Sequence, residues 1–321
     1  MNFAELIKDT GAYKTVSGDK RAGRLSHAYL VFSQDGFLKE YLKVLAKIIV
    51  CDKAEPCGQC RACRLIDAEN YPDAVFYPKK EGAVLSEDVA DLIEKSYLKP
   101  VEGDKKIFII SGGETMSPSA QNKLLKTLEE PPAGVHILIG AANEFSVLPT
   151  VRSRAKILRI PAFPAEKLMA ALSGECTDGE RLKRAVSCGD GTAARALELY
   201  SDEGLKRAEE LAEDMLFNML SSRDVLKYSS LIAAEGGEFE EFLSVLETKI
   251  RDALLNKEGC KELCMLGGGK EYPGFNEASY IYALERINEA RERKKYNGGG
   301  AMLTDWLLLA ILEGKHKWQR Y

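Results

Sequence analysis

Four cysteines lie within 13 residues of the chain: Cys51, Cys57, Cys60 and Cys63. Four thiolates can close a tetrahedron around Zn²⁺ at Zn–S distances of about 2.3 Å, which leaves no open position for a substrate. The spacing therefore predicts a structural zinc site. Two other interpretations of the sequence stay open, namely a set of buried free cysteines and a redox pair of the Cys-x-x-Cys type.

A second segment has the position of a phosphate-binding loop but not its residues. Ser33–Glu40 connects an apolar run to a helical pattern, where G-x-x-x-x-G-K-[ST] would cradle phosphates. Only Lys39 matches this motif. Ser33 and Leu38 stand at the two glycine positions, and Glu40 replaces the hydroxyl group that would hold Mg²⁺. We therefore predict that the chain binds no ATP at this turn.

A similar loss follows the apolar run Ile107–Ile110. After such a strand, P-loop ATPases place an Asp for Mg²⁺ and, in many families, a Glu that orients water. This chain has Ser111-Gly112 at those positions. Two independent losses favour a degenerate ATPase fold, although a fold that never hydrolysed ATP would give the same pattern.

The elements that would carry these segments form an α/β pattern over residues 1–160. Short apolar runs alternate with amphipathic stretches, which indicates a parallel sheet covered by helices. One helix has clear boundaries, with Ser117 as its N-cap, Pro118 at its first position and the stop Pro131-Pro132. The predicted strands are Ala28–Ser33, Asp73–Tyr77, Lys105–Ser111, Val135–Ala141 and Lys156–Ile160, and the predicted helices between them are Glu87–Leu98 and Ser117–Glu130.

The strand pattern ends at the prolines Pro161 and Pro164. The remainder is rich in Ala, Leu, Glu, Lys and Arg at helical spacing, which predicts an all-helical part. A short helical unit is expected up to about Tyr200, followed by a longer helical segment. Over 321 residues, this organisation gives two or three domains.

Composition excludes several classes of protein. The net charge is -4 and the pI about 5.7, so the chain lacks the basic character of a protein that grips nucleic acid on its own. The first residues have no secretory signal, and no apolar run approaches 18 residues, so a cytoplasmic protein is expected. The histidines His27, His136 and His316 are isolated from other ligand-type residues and predict no catalytic site.

Four motifs identify a family resemblance. Ser26–Leu30, the four-cysteine loop, Ala120–Pro132 and Thr150–Arg154 occur in the order and spacing found in the sliding-clamp loader subunits of bacterial DNA polymerase III. The chain resembles in particular the class of these subunits that lacks a working ATP site. The resemblance implies an AAA+ core of the P-loop type with a zinc module (51–63) in residues 1–162, a small helical lid in 163–203, and an all-helical collar domain in 204–321.

The resemblance also assigns a role to the pair Ser153-Arg154. In this family, Ser positions an arginine that reaches across the subunit boundary to the ATP of a neighbour, so Arg154 is the leading candidate for an arginine finger in trans. The family pattern is usually Ser-Arg-Cys, and Ala155 departs from it. The alternative is that Arg154 is a surface arginine like its neighbour Arg152. Arg195 resembles a sensor-2 arginine, but the chain offers it no phosphate in cis.

The function implied by the resemblance is that of a non-hydrolysing subunit that assembles the loader ring. Expected partners are the gamma/tau-type ATPase subunits and the delta subunit, with the sliding clamp and primer-template DNA reached through the complex and no membrane involved. The isolated chain is expected to catalyse nothing, whereas the whole holoenzyme is a DNA-directed DNA polymerase, a nucleotidyltransferase. The alternatives are an ATP-hydrolysing gamma-type subunit and a zinc-dependent nucleic-acid-binding protein.

Overall fold

A computed structural model describes residues 1–53, 55–80, 82–201, 204–235, 239–265, 270–295 and 300–317. The contacts divide the chain into two compact units. The first comprises 1–171 together with the tripeptide Thr192–Ala194, and the second comprises 172–191 and 195–321. Each unit has its own core. The finer division into core, lid and collar stays a prediction.

The first unit is built on a five-stranded parallel sheet with the strand order β2-β3-β4-β1-β5. Leu30 lies opposite Ile139 in one neighbouring strand and Ile157 in the other. Helices cover both faces, which explains why β1 and β4 are buried along their whole length. Each predicted strand is confirmed to within one residue at either end. The strands are β1 (Ala28–Phe32), β2 (Ala74–Tyr77), β3 (Lys106–Ser111), β4 (Val135–Ala141) and β5 (Lys156–Arg159).

The helices of the first unit confirm the two that were predicted from sequence. The Ser117 side chain accepts a hydrogen bond from the Ala120 amide (3.2 Å), and Pro118 opens the helix. Leu124 and Leu128 of the same helix are buried on its inner face. The helices are α1 (Phe3–Ile7), α2 (Gly11–Arg21), α3 (Leu38–Val50), α4 (Arg61–Asp67), α5 (Ser86–Ser96), α6 (Pro118–Glu129), α7 (Pro149–Arg152) and α8 (Ala165–Leu172, whose last residue belongs to the second unit).

Helix α3 is central to both candidate sites because one site lies at each of its ends. The helix packs closely on β4 at Gly140, where an added Cβ would stand 2.8 Å from Leu42 Cδ1 and 3.0 Å from Leu38 Cγ. Glycine at this position therefore lets α3 approach the sheet. Leu38, which replaces a phosphate-loop glycine, is buried in this contact.

The regular elements among the described residues of the second unit are all helices, as predicted. Its core gathers apolar side chains from most of its helices, among them Leu205, Met215, Phe242, Ile250 and Leu307. No helix within the described residues is long and apolar enough to span a membrane. The helices are α9 (Gly179–Cys188), α10 (Ala193–Ser201, whose first two residues belong to the first unit), α11 (Gly204–Asn218), α12 (Ser222–Glu235), α13 (Phe239–Lys257), α14 (Glu277–Lys295) and α15 (Gly300–Lys317).

Candidate functional sites

The four cysteines of the 51–63 loop come together in space. Their Sγ atoms all lie within 4.8 Å of one another, with the Cys51 Sγ atom 3.7 Å from that of Cys57 and 4.0 Å from that of Cys60. A tetrahedron of thiolates around Zn²⁺ has S–S edges of about 3.8 Å. The donor set and its spacing therefore fit a closed four-coordinate metal site.

Local structure explains how a short loop gathers four thiols. Cys51 caps the C-terminus of α3, Gly58 adopts a φ of +67° that favours glycine, and Cys60 is the N-cap of α4. The Cys60 amide donates to Cys57 Sγ (3.3 Å), and the Cys63 amide donates to Cys60 Sγ (3.4 Å). Amide groups aimed at sulfur stabilise thiolates and so favour metal binding.

The thiols of the loop differ in their acidity. Hydrogen bonds from the Gln59 and Cys60 amides lower the pKa of Cys57 to about 6. Burial raises the pKa of Cys63. Lys20 of α2 donates to the carbonyl groups of Cys51 and Lys53, which ties the loop to α2. These four cysteines could therefore hold a metal ion.

At the other end of α3, the degenerate phosphate loop is filled by side chains. Ser33 is buried at the end of β1, and its hydroxyl accepts a hydrogen bond from the Asp35 amide (3.2 Å). Lys39, the residue that matches the P-loop motif, forms an ion pair with Glu69 (2.7 Å). Glu40 forms an ion pair with Lys43 (2.8 Å). The matched lysine and the acid that replaces the Mg²⁺-binding hydroxyl are thus both engaged within the chain.

Asp35 is a residue that the motif comparison did not single out. Its side chain is 4 % exposed and accepts hydrogen bonds from the hydroxyl of Tyr41 (2.6 Å) and the amide of Ala193 (2.8 Å), among others. The only sequence signal was an acidic residue in a turn directly after a buried strand. Its partner amide is far away in sequence, so only the tertiary structure reveals this contact.

The end of β3 likewise carries no carboxylate. The Ser111 hydroxyl donates to the Tyr77 carbonyl (3.1 Å), and Gly112 has a φ of +98°. The next acidic side chain along the chain, Glu114, accepts from the Ala142 amide (3.2 Å). Ser111 and Gly112 occupy the positions where a P-loop ATPase would carry its Asp and Glu. Here they form a structural hydrogen bond and a turn.

Arg154 lies two residues after the end of α7, in the turn into β5. Its side chain is 34 % exposed, and the guanidinium pairs with Glu129 (2.6 Å) and donates to the Thr150 carbonyl (2.8 Å). The Ser153 hydroxyl also donates to the Thr150 carbonyl (3.0 Å), and the His27 ring lies 3.2 Å from the Arg154 carbonyl oxygen. The side chain is thus held at the surface by a defined set of contacts.

Gln121 lies within the family motif Ala120–Pro132, but the sequence did not indicate its role. It is 1 % exposed in α6, and its amide group donates to the carbonyls of Met116 (3.1 Å) and Ser146 (3.0 Å). Its side-chain oxygen accepts from the Leu148 amide (2.7 Å), one residue before α7. Gln121 therefore fixes the segment that leads to Arg154. A polar residue next to buried Ala120 was the available signal.

Arg195, the sensor-2-like residue, faces acids of the second unit. Its guanidinium lies 2.8 Å from a carboxylate oxygen of Glu198 and 4.0 Å from one of Glu241. The two carboxylates balance the positive charge of Arg195, so no phosphate is needed for that purpose.

Comparisons with known proteins agree with this arrangement. The sequence model of the family described as "DNA polymerase III, delta subunit" matches residues 8–164. The DNA polymerase III subunit delta' of Escherichia coli is 28 % identical over 250 residues, which are 76 % of this chain and 74 % of that protein. The chain is similar to the delta-prime subunit of DNA polymerase III. The five-stranded parallel sheet and the helical C-terminal part of this delta-prime-like chain confirm the predicted α/β core followed by helices, and the cysteine cluster is compatible with the predicted zinc module.

Two further proteins are similar to this chain. A subunit gamma/tau of DNA polymerase III from Mycobacterium bovis is 28 % identical over 181 residues, which are 54 % of the delta-prime-like chain and 31 % of that protein. A Thermotoga maritima protein described as related to the gamma subunit of DNA polymerase III has a solved structure with 18 % identity and a TM-score of 0.45. That likeness covers 94 % of this chain and 99 % of the other.

Proposed function

We propose that this chain is a non-hydrolysing clamp-loader subunit whose Arg154 acts on ATP bound by a neighbouring subunit. The observation that carries the proposal is a contrast within the first unit. Its phosphate loop is filled by its own side chains, yet an arginine is held at the surface beside Ser153. A chain that cannot use ATP has no use for such an arginine in cis, so its expected target is in another subunit.

The chemistry of arginine suits this role. A guanidinium is charged at any physiological pH, and its planar fork can bind two phosphate oxygens at once. In other NTPases such a residue accelerates hydrolysis by roughly 10³ to 10⁵ because it stabilises charge in the transition state. Ser153 positions the residue, since its hydroxyl and the Arg154 guanidinium share the Thr150 carbonyl.

The test is clamp-stimulated ATP turnover of the reconstituted loader with Arg154→Ala. We expect intact assembly and turnover lowered by at least about tenfold, with Arg154→Lys rescuing poorly because a point charge lacks the bidentate fork. Arg159→Ala is the matched control, since Arg159 is an exposed arginine of the same region that pairs with Glu144. Turnover and clamp loading that stay at the wild-type level in Arg154→Ala would return Arg154 to the class of surface arginines.

We further propose that the metal held by Cys51, Cys57, Cys60 and Cys63 is structural Zn²⁺. The all-sulfur donor set and the closed geometry favour zinc over metals that prefer oxygen ligands. Elemental analysis of the purified chain should find one zinc per molecule. Four thiols that react freely in a metal-free chain with an ordered loop would exclude the site.

The proposed partners are the gamma/tau-type ATPase subunits and the delta subunit of a loader in the cytoplasm, with the sliding clamp and primer-template DNA reached through the complex. Mass spectrometry of the assembly purified through this chain tests these partners.

An ATP-hydrolysing gamma-type subunit is the second candidate function, favoured by the similarity to a gamma/tau subunit over 181 residues. Titration of the isolated chain with Mg²⁺ and ATP separates the two, because the proposed function requires that no binding is seen at physiological nucleotide concentrations.

A further inference from the structure

Asp35 places a buried carboxylate inside the degenerate phosphate loop. Only 4 % of the residue is exposed, and its two oxygens accept four hydrogen bonds. The amides of Phe37 (3.1 Å) and Ala194 (3.2 Å) donate to Oδ1, and the hydroxyl of Tyr41 (2.6 Å) and the amide of Ala193 (2.8 Å) donate to Oδ2. A carboxylate this deeply buried requires such a set of donors.

The donors form a site for an oxyanion. Ala193 and Ala194, which belong to the first unit, are the first two residues of α10, where amide groups lack helical partners and the helix dipole is positive. Tyr41 is fully buried, and burial together with the adjacent Asp35 carboxylate raises the pKa of its hydroxyl, so this group stays a donor. Phosphates in proteins are bound by the same kinds of group.

The position of the site links it to nucleotide binding. The turn follows β1 and precedes α3, which is where phosphate loops lie in folds of this type. The turn is also pressed against Ala194, because a Cβ added at Gly36 would stand 3.0 Å from the Ala194 Cβ. The space next to the donors is thus taken by the chain's own backbone and by its own carboxylate.

We propose that Asp35 is a built-in substitute for a nucleotide phosphate, and that its carboxylate closes an oxyanion site which a phosphate would otherwise enter. The proposal rests on the proposed absence of ATP binding in cis and gives that absence a second cause beyond the missing glycines. A purely structural cap would stabilise the turn as well. The two differ in whether a phosphate can take the place of the carboxylate.

The experiment is chemical rescue of the full chain with Asp35→Ala. The variant should unfold at a lower temperature than wild type, and inorganic phosphate should restore part of the loss when ionic strength is held constant with sodium chloride. At a phosphate concentration about one hundred times its dissociation constant, the gain should exceed that of wild type by about 5–10 °C. A gain no larger than that of wild type overturns the proposal.

Asp73→Ala is the matched control. Asp73 is equally buried and accepts from the amides of Val101 (2.6 Å) and Glu102 (2.8 Å), which belong to a loop and not to a helix N-terminus. Its variant should gain no more from phosphate than wild type does. An equal gain in both variants would show that any vacated carboxylate site takes up phosphate, and this result also overturns the proposal.

Asp35→Asn keeps the test decisive if the alanine variant does not fold. The amide fills the same space without the charge, so this variant should be less stable than wild type and unaided by phosphate. Wild-type stability in Asp35→Asn would show that no anion is needed, against the proposal.

ATP with Mg²⁺ should rescue Asp35→Ala no better than inorganic phosphate does, because the Mg²⁺ ligands are also missing. A markedly larger rescue by ATP would contradict a site limited to one phosphate group.

The same titrations separate this inference from the proposed function. If the wild-type chain binds ATP, the proposed function fails. If wild type binds none and phosphate does not rescue Asp35→Ala, only the role of Asp35 fails.

Discussion

The two ends of helix α3 carry the remains of two different sites, and they differ in what fills them. At its C-terminal end, four cysteine sulfurs lie within 4.8 Å of one another, a spacing that fits a metal ion. At its N-terminal end, the donors that could hold a phosphate are already bound to Asp35. On the proposals above, a ligand site is kept at one end of α3 and closed at the other, where the chain supplies its own carboxylate.

The largest effect is expected at the cysteine end. Cys60→Ser removes one metal ligand, and a structural zinc site contributes on the order of 10 kcal/mol of apparent binding free energy that is also local folding free energy. Amide exchange should therefore speed up across residues 51–63, while the second unit stays protected. Elemental analysis and hydrogen exchange measure both effects.

Cys260→Ser is the control for that prediction, because Cys260 lies in the second unit outside the cluster. It should leave the metal content at one per chain. A Cys60→Ser chain that retains the metal and the wild-type exchange pattern would remove the distinction between the two ends of α3.

A smaller effect is expected at the phosphate-loop end. Leu38→Gly restores a motif glycine but removes a buried side chain that packs at Gly140, and the loss of a buried leucine costs about 2–5 kcal/mol of unfolding free energy. ATP should still not bind, because Asp35 and Ser33 remain in the loop. Denaturant unfolding and calorimetric titration with ATP give the two readouts.

Leu98→Gly serves as the control for Leu38→Gly, since Leu98 is 58 % exposed and should cost much less. Micromolar ATP affinity in Leu38→Gly would show that the loop is closed by one side chain alone, and the contrast between the two ends would then be far weaker.

The smallest effect is expected for Lys39→Ala. Lys39 is half-exposed and its ion pair with Glu69 should contribute no more than about 0.5 kcal/mol. Loader ATPase should be unchanged, whereas a lysine that bound phosphate would be essential. A substantial loss of turnover in the reconstituted complex would indicate that this end of α3 still works on a nucleotide.

The stability that the ion pairs of Glu69 contribute should depend on pH. Burial by itself raises the pKa of Glu69, but Lys39 and Lys43 outweigh it and hold that pKa below its ordinary value of 4.5. Glu69 therefore binds a proton less readily in the folded state than in the unfolded chain. The contribution of its ion pairs to the free energy of unfolding is complete above pH 4.5 and is lost as the pH falls below that value. Lys39→Ala should reduce this acid-induced loss of stability, and Lys14→Ala, outside the pair, should not.

The sequence alone determined the α/β core, the helical second part, the cysteine cluster and the loss of phosphate-loop residues. Each depends on local patterns: alternation of apolar runs, helix caps such as Ser117, and ligands close together in the chain such as Cys57 and Cys60. Family-specific motifs added the candidate Arg154. These signals are readable because the residues that act together are neighbours in sequence.

Only the tertiary structure showed which partners the polar side chains of the candidate sites have. Asp35 meets the Ala193 amide 158 residues away, and Glu129 meets Arg154 across the gap between α6 and α7. Gln121 likewise joins backbone groups of separate segments. No local pattern encodes such contacts, because a buried carboxylate or amide is satisfied by whichever donors folding brings within hydrogen-bond distance.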